Sequence, residues 1–267
     1  MSIRYEDWYK VIQIRRSRRT FVTKKIEDDK ILTLNSAISE LNGLYEGVRM
    51  IFIDQAPDTV FVGAIGPYGK ITGAPAYLAL IINNEGTFQF EKAGFIGQAI
   101  VLEAAKHGLS TCWVGGYFNR EVSAQQVGIS DEESVIAIIP IGHARKNLSL
   151  TEKMMNQVGD YHKRKSVDEI VEGLAQEDWP AWISSSVRAA SLSPSAYNRQ
   201  SVSFIIGKDH SISLKINNAQ EDTNVPKGID RGIAMLHLDV AIKYHNVVGQ
   251  WRFDQDDNLV VFEKVGS

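Results

Sequence analysis

The chain has 267 residues, 44% of them hydrophobic, and its 29 basic and 32 acidic side chains give a formal net charge of −3. This composition can build a hydrophobic core, and it excludes a disordered chain and a protein that holds nucleic acid through bulk positive charge. The single cysteine, Cys112, excludes an intrachain disulfide and a cysteine-built metal cage, so we expect a cytoplasmic protein. The longest apolar run, residues 74–82, is about half of a membrane span, and we expect no membrane partner.

The first half of the chain is predicted to alternate helices and strands. Apolar residues recur at helical spacing over residues 31–44, and the β-branched run at 48–54 predicts a strand. The continuous apolar run at 75–82 indicates a central strand buried on both faces. Residues 90–108 predict a long core helix that ends at Gly108, and 134–144 predict another buried strand. This order is typical of an α+β protein.

The second half repeats part of this pattern at two constant offsets. An offset of 153 lays residues 37–54 over 190–207, so helix, loop and strand recur in order. An offset of 138 pairs Gly94 with Gly232, Ile100 with Leu238, Leu102 with Val240, His107 with His245, Gly108 with Asn246 and Trp113 with Trp251. We therefore predict two pseudo-twofold related halves, residues 1–165 and 166–267, as expected if a homodimer were fused into one chain. Each half then holds one part of a single site.

Four arginines surround Ser17 within residues 15–19, and such a cluster repels itself unless an anion offsets its charge. Guanidinium groups present paired N–H donors that fit phosphate oxygens, which favours a phosphate-bearing ligand. The alternative is a solvated basic face on a helix that pairs with Glu27, Asp28 and Asp29.

The motifs resemble those of the FMN-dependent nitroreductase family. Residues 15–21 resemble its R-R-S-x-R-x-F opening, and residues 192–206 resemble its P-S-x-x-N-x-Q-x-W-x-F segment. Three weaker matches follow in family order: "GKITGAPAYLAL", "GLSTCWVGGYF", and "IPIGHARK" followed by "KRKSVDEIV". The resemblance implies a mixed, mostly antiparallel sheet with long helices.

Two departures from that family qualify the resemblance. The P-S-x-x-N segment of ordinary members follows the arginine motif closely and reaches the flavin of the partner subunit, whereas here it comes about 170 residues later. This spacing resembles the fused, single-chain branch of the TM1586 type, in which a monomer can be complete. Ser201 and Val202 replace the usual Pro-Trp, which leaves the substrate-side wall undefined.

The resemblance implies a set of FMN-binding residues. The phosphate and ribityl chain would contact Arg15, Arg16, Ser17, Arg19 and Arg164, while Arg18 would point elsewhere. Lys70 would lie near N1 and O2 of the flavin ring, and Gly115 and Gly116 would let the backbone approach N5. The second half would contribute a cap formed by Pro194, Ser195, Ala196, Asn198 and Gln200. No catalytic side chain and no metal site is assigned.

Each of these roles has a structural alternative. Lys70 could be an exposed lysine in a Gly-Pro turn, residues 194–200 could be a helix-terminating turn, and Gly115 with Gly116 could be a plain turn. His107 and His245 are expected to be structural residues beside helix C-termini, and Cys112 a packing residue.

The resemblance implies an oxidoreductase that takes hydride from NAD(P)H and reduces an electron-poor acceptor, such as a nitroaromatic or a quinone, by a ping-pong mechanism. The alternatives are a flavin-binding or flavin-storage protein without turnover and a scaffold that binds no flavin. Fold alone does not decide among them.

Overall fold

The computed structural model of the chain describes residues 5–61, 70–147, 163–219 and 223–265. Within these ranges, helices pack around and between two β-sheets. The helices are α1 (Tyr5–Ile14), α2 (Asp28–Asn42), α3 (Pro57–Phe61), α4 (Gln89–Lys106), α5 (Arg120–Val127), α6 (Val167–Ile170), α7 (Ala181–Ser191) and α8 (Lys227–Tyr244). Among them, none is long and apolar enough to cross a membrane.

The first sheet consists of β1 (Val48–Ile53), β2 (Ala76–Asn83), β3 (Ser110–Thr111) and β4 (Glu133–Gly142). These strands follow the order β1-β2-β4-β3, and all neighbours are antiparallel. Seven of the eight residues of β2 are buried, as its continuous apolar run predicts for an inner strand. The strands predicted at 48–54, 75–82 and 134–144 are confirmed.

The second sheet repeats this order with one added edge strand. Its strands are β5 (Val171–Gly173), β6 (Val202–Ile206), β7 (Ile212–Ile216), β8 (Gly249–Asp254) and β9 (Leu259–Lys264). They follow the order β5-β6-β7-β9-β8, and only β5 and β6 run parallel. If β5 is set aside, β6, β7, β9 and β8 occupy the places that β1, β2, β4 and β3 occupy in the first sheet. The predicted mixed, mostly antiparallel arrangement is confirmed, in two sheets.

Helices α4 and α8 cross at the centre of the molecule. Both have 18 residues and start 138 residues apart. A Cβ atom added at Gly94 would lie 2.3 Å from the carbonyl oxygen of Ile229, and one added at Gly232 would lie 1.9 Å from that of Glu91. Glu91 and Ile229 are also 138 residues apart, so the contact is reciprocal, as at an isologous interface.

Both long helices end in the same way. Gly108 and Asn246 follow them in the left-handed conformation, with φ of +73° and +57°. The predicted left-handed end of α4 is therefore confirmed, and its counterpart in α8 uses asparagine, which tolerates this conformation. The boundary between the two halves at residue 165 stays a prediction.

Candidate functional site

The arginine segment is an extended connection after α1. Helix α1 ends at Ile14, Ser17 forms a parallel bridge with Thr111 of β3, and Thr20 forms another with Thr72. The arginines therefore do not form the basic helical face that was considered as an alternative. Two of the three acidic residues offered as its partners bind elsewhere, since Glu27 contacts Lys24, Lys30 and His143, and Asp28 contacts Lys25.

Three arginines bring positive charge to one place. Burial and the charge of Arg164 lower the pKa of Arg15 to about 10, and burial followed by the charge of Arg16 lowers the pKa of Arg164. Among the described residues, no carboxylate forms an ion pair with any of these three arginines. Their repulsion is therefore not compensated by the described side chains, which is the electrostatic condition for binding an anion.

Arg164 joins the arginine segment to the cap, residues 194–200. Its Nη1 donates a 2.5 Å hydrogen bond to Oδ1 of Asn198, and Asn198 Nδ2 donates to the carbonyl of Lys163 at 3.1 Å. Gln200 binds the same stretch, because its Nε2 donates to that carbonyl and its Oε1 accepts the backbone N–H of Lys165. The structure thus brings together Arg15, Arg16, Arg164, Asn198 and Gln200.

The cap has an unusual backbone. Tyr197, Asn198 and Gln200 have φ of 56°, 54° and 45°, a region that residues with side chains seldom adopt. Ser195 Oγ accepts the backbone N–H of Gln200 at 3.0 Å, and the backbone N–H groups of Asn198 and Arg199 donate to the carbonyls of Ser195 and Ala196 in two successive turns. Such conformations cost of order 1 to 3 kcal/mol each and persist only where their surroundings hold them. The cap follows the end of α7, and its three residues at positive φ distinguish it from the simple helix-terminating turn considered from the sequence.

Lys70 is exposed, and its stretch of backbone lies beside the arginine segment. Thr72 N–H donates to the carbonyl of Arg19 at 3.0 Å, so the chain at 70–72 runs beside residues 18–20. The rest of the predicted segment "GPYGKITGAP" before Lys70 lies outside the described residues. The position of Lys70 permits either the flavin role or the alternative of an exposed turn lysine.

Gly115 and Gly116 lie against the second half of the chain. A Cβ atom at Gly115 would come within 2.8 Å of the Val225 side chain, and one at Gly116 within 2.4 Å of Asn224 Nδ2. A larger residue at either position would have to displace the side chain of Val225 or Asn224, and an approach to a flavin stays a prediction. The side chain of Tyr197 donates to Asn224 Oδ1 at 2.5 Å, which links this contact to the cap.

A buried polar chain beneath the arginines has no motif in the sequence. Trp113 Nε1 donates to Gln98 Oε1 at 3.0 Å, so the Gln98 amide nitrogen faces His237 Nε2 at 2.9 Å. The Nδ1–H of His237 then donates to the carbonyl of Ala189 at 2.8 Å. Burial, helped by the charges of Arg15 and Arg164, lowers the pKa of His237 to about 3. Its residues come from distant segments, so no spacing could have predicted it.

Two further residues considered from the sequence are Cys112 and His107. Cys112 is buried, as expected for packing, and the ring of His107 binds the Glu103 carboxylate at 2.9 Å instead of a free helix carbonyl. Across the described ranges, no group of three histidine, cysteine, aspartate or glutamate residues could hold a metal ion.

Comparison with known proteins places the chain in a family. A structure described as a putative nitroreductase from Thermotoga maritima MSB8 is 18% identical, covers 98% of this chain and 95% of its own, and has a TM-score of 0.62. An FMN-dependent nitroreductase from Clostridium difficile R20291 is 20% identical over 58% of this chain and 96% of its own, with a TM-score of 0.44. No curated protein matches the sequence. The chain has the fold of the Thermotoga protein, and because residues 7–242 match the family described as "Putative TM nitroreductase", it belongs to that family.

Proposed function

We propose that this protein is an FMN-dependent NAD(P)H oxidoreductase that reduces an electron-poor acceptor, such as a nitroaromatic or a quinone, by a ping-pong mechanism. The observation that carries the proposal is the arginine group formed by Arg15, Arg16 and Arg164, which is bonded to the cap through Asn198. Membership of a nitroreductase family supports the same reading.

The arginine group suits the phosphate of FMN. Arginine side chains offer only donors, in a planar fork that matches phosphate oxygens, and a doubly charged phosphate would relieve the repulsion between them. Arg15, Arg16 and Arg164 would bind the phosphate, with Ser17 and Arg19 beside them on the same extended segment. The cap would cover the ring from the opposite side, with Asn198 and Gln200 held by the segment 163–165.

Bound FMN would supply the hydride chemistry, and the protein would supply position, charge and exclusion of water. Lys70 would place a cation where negative charge collects in the reduced ring, which raises the reduction potential. Gly115 and Gly116 would form a side-chain-free wall. In this assignment, no protein side chain has to act as a catalytic acid or nucleophile.

An absorbance spectrum of the purified protein tests the proposal. We expect a yellow protein with about one FMN per chain, which bleaches when NADH or NADPH is added without oxygen and recovers its colour with an acceptor. A yellow protein that does not bleach would instead support flavin storage. A colourless protein that takes up no added FMN would support a scaffold and contradict the proposal.

Replacement of single arginines tests the phosphate site. Arg15→Gln should weaken FMN binding by roughly tenfold to hundredfold, because a charge-assisted hydrogen bond contributes about 1.5 to 3 kcal/mol. Arg18→Gln is the matched control, since Arg18 Nη2 donates to the carbonyl of Arg145. Fluorescence titration with FMN measures both. Equal affinities in the two variants would remove Arg15 from the site.

A further inference from the structure

Asp230 of α8 accepts three hydrogen bonds, two from the cap and one from Ser201, the residue that follows it. Its Oδ1 accepts the backbone N–H of Ala196 at 3.0 Å, and its Oδ2 accepts Arg199 Nε at 2.6 Å and Ser201 Oγ at 3.4 Å. The carboxylate is only 3% exposed. A buried carboxylate is stable in a fold when a cation and several hydrogen bonds satisfy it, as they do here.

Arg199 extends this contact towards the first half of the chain. Its Nη1 donates to Thr223 Oγ1 at 2.8 Å and to the carbonyl of Val225 at 2.9 Å. Val225 is also the residue against which Gly115 packs. The pair of Asp230 and Arg199 therefore joins the cap, the segment 223–225 and the glycine turn in one connected unit.

The backbone of the cap requires such support. Three of its residues lie at positive φ, and this conformation gives way to a more favourable one unless outside contacts hold it. Bonds within the cap contribute, but Asp230 is on a buried helix and ties the cap to the core. Asn198 can meet Arg164 only while the cap keeps this shape.

We propose that Asp230 is a positioning residue that, through Ala196 and Arg199, holds the cap in the shape that binds FMN. This inference rests on the proposed function. Asp230 does not contact the ligand in this assignment; it acts through the backbone of the cap. Loss of its charge should therefore weaken FMN binding more than it weakens the fold.

Asp239 provides a matched control on the same helix. It is also 3% exposed, it accepts Trp251 Nε1 at 3.0 Å, and it forms an ion pair with Lys243 at 3.0 Å. Its partners lie on α8 and β8, away from the cap. Asp230→Asn and Asp239→Asn thus remove the same charge from equally buried positions, and only the first removes support from the cap.

The experiment compares wild-type protein, Asp230→Asn and Asp239→Asn by FMN titration, urea unfolding and amide hydrogen exchange. We expect the FMN dissociation constant to rise by roughly tenfold to hundredfold in Asp230→Asn and to stay within about twofold in Asp239→Asn. Without FMN, the amides of residues 196–200 should exchange at least about tenfold faster in Asp230→Asn alone. Similar losses of stability in the two variants would show that the affinity change is specific.

If Asp230→Asn does not fold, Arg199→Gln tests the same unit, because it leaves the bond from Ala196 to Asp230 in place. We expect faster amide hydrogen exchange in the cap and weaker FMN binding in this variant as well. Wild-type affinity or wild-type cap protection in the folded variant would overturn the inference. Wild-type protein that binds no FMN would overturn the proposed function instead, and exchange in the cap would still decide whether Asp230 holds it.

Discussion

The arginines of this chain have contacts that their residue type does not reveal. Arg15 faces Arg164, Arg18 donates to a backbone carbonyl, and Arg199 binds Asp230. Arg231 is buried in an ion pair with Glu91 at 2.6 Å. Cations that face one another with no carboxylate partner among the described residues create a site for an anion, while arginines paired with carboxylates, such as Arg199 and Arg231, stabilise the fold.

His237 is the residue whose burial has the clearest thermodynamic consequence. Its ring is fully buried on α8, and its two nitrogens are already used by Gln98 and Ala189. Its pKa, 6.5 in an ordinary environment, falls to about 3 in the folded protein. Below about pH 6.5 the unfolded chain therefore binds a proton at this histidine that the folded chain does not bind. The free energy of unfolding falls as the pH decreases from 6.5 towards 3.

We expect this histidine to reduce the free energy of unfolding by about 2 kcal/mol between pH 7 and pH 5. His237→Gln removes the titrating ring and keeps an amide that can both donate and accept. The difference between urea unfolding at the two pH values should therefore shrink by that amount in the variant. An identical pH dependence in both proteins would show that His237 is not held neutral.

At the scale of the elements, the crossing of α4 and α8 depends on glycine. Gly94 and Gly232 let each helix backbone touch the other, with Glu91 and Ile229 as their reciprocal contacts. Small residues allow this approach because side chains would otherwise hold the helix axes apart. The same two helices carry Gln98, His237 and Asp230, so the crossing sets the positions of the groups beneath the candidate site.

Gly232→Ala should reduce the free energy of unfolding by about 1 to 3 kcal/mol, because the added Cβ would overlap the Glu91 carbonyl. Helix propensity alone predicts the opposite sign, a gain of up to about 1 kcal/mol. Gly43→Ala is the control, since its φ is negative and the nearest atom to a new Cβ is 3.4 Å away. Urea unfolding measures both, and a stabilised Gly232→Ala would contradict the close crossing.

At the scale of the whole molecule, one strand order occurs twice in one chain. The order β1-β2-β4-β3 of the first sheet returns as β6-β7-β9-β8 in the second, and α4 and α8 face each other between them. This arrangement supports the proposal that the second half stands in for a partner subunit, so that one pocket is complete within one chain.

We therefore expect a monomer to retain FMN. Size-exclusion chromatography with light scattering should give flavin absorbance at the mass of one chain, at a ratio of about one FMN per chain. Dilution should leave that ratio unchanged, because no subunit contact would be lost. Flavin found only in a dimer peak, and released when the dimer dissociates, would contradict a pocket formed within one chain.

The sequence by itself determined the local elements and the family. Apolar spacing located α2, β1, β2, α4 and β4 to within a few residues, because burial of one helical stripe or of both faces of a strand leaves a periodic pattern. Ordered motifs indicated the nitroreductase family, and the constant offset of 138 between the two halves aligned the sequences of α4 and α8.

The tertiary structure alone decided which polar residues meet. Arg164 with Asn198, Asp230 with Arg199, and the chain from Trp113 to His237 join segments that are 15 to 139 residues apart. The packing of whole helices decides which of these residues meet, and a residue type taken alone does not identify its partner. The sequence carries short-range periodicity, whereas contacts between distant polar groups exist only once the hydrophobic core has set the positions of the helices.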